Sequence, residues 1–160
     1  METSILFELR DDMYLVAMAI KSVLNLDVTI YDDQKTVVAA TGGGNHAKIG
    51  QKVRGYVISE VIKSGKAVFN FQPGSHEICK PCYLWGKCPE KMDISYPLKH
   101  EGKTIGVISL TAFSEEQKRN FKVKHEELSN YMEKMADLIS NKINLSTLFK
   151  KYYSTSQMLE

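Results

Sequence analysis

Between Met92 and Ala112 the chain carries the pattern that most narrows its fold. Met92, Ile94, Tyr96 and Leu98 alternate with Asp93, Ser95 and Lys99, the period-two signature of a strand with one face buried. His100-Glu101-Gly102 then reads as a turn, and Lys103 to Ala112 returns as a second strand. Gly106 inside that second strand marks a bulge or a close approach of another backbone. Two adjacent strands with so short a connection must pair antiparallel. The fold is therefore built around an antiparallel sheet.

The rest of the chain supplies cover and further strands. Ile5 to Leu24 is an amphipathic helix, with Ile5, Leu9, Met13, Val16, Ile20 and Val23 at helical spacing. Val28 to Tyr31 and Thr36 to Ala40 are short strands around a turn at Asp32-Asp33-Gln34. Thr41-Gly42-Gly43-Gly44-Asn45-His46 is a loop. It lacks the Lys-Ser/Thr of a phosphate-binding loop and the spacing of a dinucleotide site, and its reading here is a segment able to close over a pocket. Val53 to Lys63 is a second helix, ended by Ser64-Gly65 with glycine as the left-handed cap. Lys66 to Phe71 is a strand. The order of helices and strands gives an α+β domain, a small antiparallel sheet with helices packed on it.

Length bounds the answer to one domain and an appendage: the chain has 160 residues. Its net charge of +2 is too small to argue for a nucleic-acid surface. The basic run Lys118, Arg119, Lys122 and Lys124 is balanced by Glu115, Glu116, Glu126 and Glu127, so it reads as a solvated face with no direct nucleic-acid contact. No basic n-region leads an apolar run at the start, and no stretch is long and apolar enough to span a bilayer, so the expectation is a cytoplasmic protein without membrane contact.

All three cysteines fall within ten residues, as Cys79-x2-Cys82-x5-Cys88, inside a loop from Gln72 to Lys91. Pro81 favours a tight turn between the first two, and Gly86 and Pro89 bend the chain around the third. Clustered thiols in a cytoplasmic chain point to metal or redox chemistry more than to a disulfide scaffold. Three readings stay open. Zinc would need a fourth ligand, for which His76 is nearest in sequence. An iron–sulfur cluster could use three thiolates and leave one iron to His76 or to a small molecule. Bare thiol–disulfide switching between Cys79 and Cys82 is the third, with Lys80 and Lys87 favouring thiolate. His46, His100 and His125 read as solvated, and there is no G-x-S-x-G, no H-E-x-x-H and no paired carboxylates in a catalytic frame. The chain is not expected to be an enzyme.

Ser114-Glu115-Glu116-Gln117 is a capping box, and no proline or glycine interrupts the sequence from there to Glu160. With Leu128 at heptad position a, the a positions hold Leu128, Met135, Lys142 and Phe149, and the d positions Tyr131, Leu138, Leu145 and Tyr152. That is a coiled-coil seam with one polar interruption, so the expected partner is a second copy of the chain, joined through the terminal helices.

The run Ser95-Tyr96-Pro97-Leu98-Lys99-His100-Glu101-Gly102-Lys103-Thr104-Ile105-Gly106-Val107-Ile108-Ser109-Leu110 resembles the last hairpin of GAF and PAS-type sensor domains. Joined to the cysteine run and to Phe113-Ser114-Glu115-Glu116-Gln117-Lys118, it is similar to the N-terminal regions of sigma-54-dependent transcriptional regulators of anaerobic Firmicutes. The resemblance implies a GAF/PAS-like sensor over residues 1–113 and a helical linker over 114–160. A downstream output of AAA+ ATPase and DNA-binding domains would follow; the chain itself carries no P-loop and no helix-turn-helix. It also implies a ligand space between the sheet and its covering helix and loops, with Tyr56, Phe69, Phe71, Tyr96 and Ile108 near its walls. The signal would be a redox state, a metal or iron–sulfur cluster, or a small metabolite. A small thiol redox protein using the Cys79–Cys82 pair and a structural zinc module for protein–protein contact are the alternatives.

Overall fold

The computed structural model describes residues 2–42 and 48–159, so His46 and the centre of the glycine-rich loop lie outside the described residues. The chain divides into two compact units, Met1–Lys124 and His125–Glu160.

The first unit is built on a five-stranded sheet, in order β2-β1-β5-β4-β3 with antiparallel neighbours. Its strands are β1 (Asp27–Asp32), β2 (Val37–Ala40), β3 (Val68–Asn70), β4 (Met92–His100) and β5 (Lys103–Ala112). The α+β architecture read from the sequence is the one observed. β4 and β5 turn through Glu101 and Gly102, both at positive φ, the geometry that suits the right-handed twist of a hairpin. Gly106 has the close neighbour its position suggested. A Cβ there would meet the Tyr31 carbonyl oxygen and, at 2.6 Å, Leu6 Cδ1. The ladder shifts register beside it, between Leu98 and Lys99.

The N-terminal helix is two pieces, α1 (Ile5–Glu8) and α2 (Arg10–Leu24), and α2 packs on β1 and β2. Ser4 caps α1 and also donates its hydroxyl to Asp32 Oδ2 at 2.7 Å. Asp32 Oδ1 accepts the Gln34 and Thr36 N–H groups, which closes the β1–β2 turn around Lys35 at positive φ. On the other face of the sheet, α3 (Tyr56–Ser64) lies against β3, β4 and β5. The helix begins three residues later than the apolar pattern suggested. The preceding backbone is already paired with the edge of β2: Val37 N–H donates to the Gln51 carbonyl and Val53 N–H to the Lys35 carbonyl. Gly65 ends α3 in the left-handed conformation.

Past the sheet, the expected single helix from Ser114 to Glu160 is instead α4 (Glu115–Asn120) and α5 (His125–Met158). Ser114 Oγ accepts the Gln117 N–H at 3.0 Å, and Gln117 Oε1 reaches back to the Phe113 N–H at 2.9 Å, so the cap forms as read. The break falls at Phe121-Lys122-Val123-Lys124, where apolar and charged residues alternate with the period of extended chain. Along α5, Leu128, Met132, Ile139 and Ile143 are the buried residues. Of the seam positions, Leu138, Leu145, Phe149 and Tyr152 are exposed, and Tyr131 and Met135 are half-buried.

Candidate ligand-binding cavity

Strand alternation divides the side chains of the sheet into two sets. Ile30, Ile108 and Ile94 share one face through the pairings Ile30↔Ile108 and Ile94↔Leu110. Thr29, Ser109 and Ser95, and Asp93 with Thr111, share the other. α3 covers one end of this second face with an apolar cluster: Ile58 and Val61 from the helix, Tyr31, Val37, Ala40 and Val107 from the strands. Beyond the cluster the face turns polar and a cavity of about 540 Å³ opens. That is within the usual range for a small-molecule site.

The floor of the cavity is hydrogen-bonded. Asp93 is 6% exposed. It accepts the Ser95 hydroxyl on Oδ2 at 3.1 Å and the Thr111 hydroxyl on Oδ1 at 3.3 Å. With the Ser95 proton given to Asp93, the Ser109 hydroxyl donates to Ser95 Oγ at 2.7 Å. Among the described residues no buried side-chain nitrogen or oxygen lacks a partner. Glu90 joins Asp93 at the floor. Burial drives both carboxyls well above the usual carboxylate range, and for Glu90 the negative charge of Asp93 adds to the effect while Lys48 opposes it. Burial also holds the Tyr31 phenol neutral. Lys48, Lys52 and Arg54, all exposed, line its margin, and Tyr56 with Val53 and Val57 form an apolar wall.

The cysteine loop forms the remaining side. Gly86 N–H donates to the Gly74 carbonyl at 2.8 Å and closes the base of the loop. A side chain at Gly74 would strike Cys88 Cβ at 2.9 Å, so the approach needs glycine. Cys79, Cys82 and Cys88 all line the cavity as free thiols. The Asn70 amide donates to Cys79 Sγ and the Leu84 N–H to Cys82 Sγ, each at 3.4 Å. Burial raises the Cys88 thiol, partly countered by a backbone hydrogen bond at Glu90. His76 stands apart from the three: exposed, it caps the 3₁₀ turn Glu77–Cys79 and its Nδ1 accepts the Ile78 N–H at 3.2 Å. Lys80 pairs with Glu77. Three thiols facing one space are a donor set for soft or borderline metals. Among the described residues, however, no three His, Cys, Asp or Glu side chains converge closely enough to hold an ion.

Of the five apolar residues expected at the walls, Tyr56 lines the cavity. Ile108, Tyr96 and Phe69 belong by register to the opposite face of the sheet, where Phe69 and Tyr96 meet edge to face. Phe71 lies past the end of β3 and is 49% exposed. The residues missed were Asp93, Ser109 and Thr111, the polar members of the same alternation, and Glu90 just before it. A strand acid set opposite a threonine on a neighbouring strand was the available signal.

An antiparallel sheet between helices, with a cavity under α3 and a long loop, defines a GAF-fold domain. Solved structures agree at the level of fold. The GAF domain of a phosphoenolpyruvate-protein phosphotransferase from Acinetobacter matches with a TM-score of 0.67 at 17% identity, over 92% of this chain and 86% of that one. A type II free methionine-R-sulfoxide reductase from Thermoplasma acidophilum matches with a TM-score of 0.63 at 19% identity, over 86% of this chain and 94% of that one. In sequence, the chain is similar to UacR of Escherichia coli K12, assigned as a uric acid sigma-54-dependent transcriptional regulator. The two are 25% identical over 142 residues, 88% of this chain. The chain spans 24% of that relative's length. No family model matches. Among the described residues no helix is long and apolar enough to cross a membrane.

Proposed function

We propose that this chain is the cytoplasmic signal-sensing domain of a bacterial sigma-54-dependent transcriptional regulator. It holds a small molecule in the cavity beneath α3 and reports occupancy through α5 to an output of AAA+ ATPase and DNA-binding domains. The observation that carries this is the floor of the cavity: buried acid and hydroxyl groups stand where a domain serving only as scaffold would place aliphatic side chains. The likeness to UacR supports the regulatory setting. Occupancy moves an equilibrium only as far as the ligand binds one state better than the other. A dimeric helix whose seam is interrupted by Lys142 is suited to shift in register. The exposed Leu138, Leu145, Phe149 and Tyr152 supply the apolar surface for that parallel homodimer.

Light scattering with and without ligand tests the reading, with uric acid as the first probe. The wild type is expected to be dimeric at tens of micromolar (roughly the range of weak signalling dimers), and Leu138→Glu monomeric. A monomeric wild type, or a dimeric Leu138→Glu, removes the output mechanism.

A second reading concerns the thiols. Cys79 and Cys82 each accept an N–H on sulfur, the arrangement that stabilises a thiolate and tunes iron–sulfur and zinc sites. Closure of the loop on zinc or an iron–sulfur cluster would bring Cys88 in as the third ligand and a rotated His76 as the fourth. Anaerobic purification followed by metal and acid-labile sulfide analysis decides it, and Cys82→Ser is expected to lose whatever metal the wild type carries. Metal-free protein that cycles a Cys79–Cys82 disulfide would instead favour the thiol switch.

A further inference from the structure

The lining of the cavity is bipolar. Asp93 and Glu90 lie at its floor with Ser109 and Thr111; Lys48, Lys52 and Arg54 lie at its margin. Among the described residues neither acid forms an ion pair, and none of the three bases does. The opposite charges therefore face one space without neutralising each other by contact. We infer that the cavity binds a small bipolar molecule, with its N–H-bearing end on Asp93 and Glu90 and its oxyanion end at Lys52 and Arg54. This inference rests on the sensor reading, because it takes the same cavity as the ligand site.

Elimination supports it. A simple anion carries no N–H to answer the carboxyl and hydroxyl oxygens at the floor. A purely apolar ligand would strip water from hydroxyls and carboxyls and return no hydrogen bond. A bare metal ion finds no converging donors among the described residues. An N–H-bearing group does fit. A carboxylate has about four acceptor positions on its two oxygens, and Asp93 spends two of them on Ser95 and Thr111. The acids are held partly protonated by burial, and a cationic or N–H donor at the floor replaces that proton. The apolar wall of Val53, Tyr56 and Val57 accommodates the body of the molecule between the two ends.

Two kinds of small molecule have this chemistry: a zwitterionic amino acid, with an ammonium group at the floor, and a cyclic ureide of the oxopurine type, with ring N–H groups there. Calorimetry on the full chain separates them, using each common amino acid, uric acid and xanthine as probes and benzoate as an oxyanion without N–H. At least one N–H-bearing probe is expected to bind, and the set it comes from names the source. Benzoate is expected not to bind. Asp93→Asn should lower the affinity for that probe about tenfold or more, as loss of a charge-assisted hydrogen bond does, and Arg54→Gln should also weaken it. Asp93→Asn should melt no lower than the wild type at pH 8, which separates lost binding from lost structure. The inference is overturned if benzoate binds as tightly as every N–H probe, or if no probe binds at about 10 mM, a limit set by the weakest useful affinities. It is also overturned if Asp93→Asn binds the best probe within about twofold of the wild type. A ligand without N–H that fills the cavity and ignores Asp93→Asn would end this inference and leave the sensor reading intact.

Discussion

The two faces of the sheet are made by the same strands, yet they behave as different materials. One face carries Val28, Ile30, Ile94, Leu98, Ile108 and Leu110, all buried. The other carries Thr29, Asp93, Ser95, Ser109 and Thr111, equally withdrawn from solvent, the last four tied together by hydrogen bonds. Burial of the first set stabilises the domain at about 1.5–3 kcal/mol per large side chain. Burial of the second contributes little, since each bond replaces one to water and nets only about 1 kcal/mol. A fold that needed stability alone would gain from aliphatic residues on both faces. The polar set is retained at a cost, and that separates the wholly apolar face from the face that also lines the cavity.

Adjacent residues of β5 give the sharpest test of this division. Leu110→Ala is expected to destabilise by about 2–5 kcal/mol in denaturant unfolding, and Ser109→Ala by only about 1 kcal/mol. A reversed order would break the comparison. Gly106→Val adds bulk on the apolar face against the Tyr31 backbone and Leu6. Overpacking of this kind costs about 1–3 kcal/mol or more, so its denaturant midpoint should fall between those of the other two variants or below both.

The polar face has a pH signature of its own. Burial raises the Asp93 and Glu90 carboxyls above their unfolded values. The folded state then holds protons that the unfolded state has released, so these groups reduce stability as pH rises from about 4 through neutrality. Lys48 acts on Glu90 and opposes the trend, whereas burial keeps the Cys88 thiol and the Tyr31 phenol neutral. The melting temperature should therefore be lower at pH 8 than at pH 5.5, and Glu90→Gln should narrow the gap. An unchanged gap in that variant would assign the dependence to other groups. The smallest effect is expected away from both faces: Gln117→Ala removes the cap bond from the Phe113 N–H and an exposed bond to the Asn25 carbonyl and should cost about 0.5–1 kcal/mol, measurable as a small shift in the denaturant midpoint.

Much of the fold was legible because local signals agreed with tertiary need. The β4–β5 hairpin followed from alternation and its Glu-Gly turn, and the cap at Ser114 from its spacing. What sequence pattern could not do was name the face that lines the cavity. Ile108, Tyr96 and Phe69 are apolar for the ordinary reason that they face the core, while the cavity took the polar alternates. Phe121 to Lys124 shows the other limit. Absence of proline and glycine permits a helix without requiring one, and four residues with period-two patterning were enough to interrupt it. Spacing put the three thiols in one loop but gave no sign that the loop borders the cavity; His76 was tied to them only by proximity in sequence, and its ring is engaged in capping a turn.

The Gly86–Gly74 closure has a practical consequence. Main-chain atoms hold the base of the loop, so its shape there needs no sulfur, and the chain has no cysteine outside that loop. A thiol-directed dye would attach only at the rim of the cavity, with its scaffold undisturbed and without prior removal of other cysteines. Retaining Cys82 alone, with Cys79 and Cys88 replaced by serine, turns the domain into a single-site fluorescent reporter whose emission follows the filling of the space it borders.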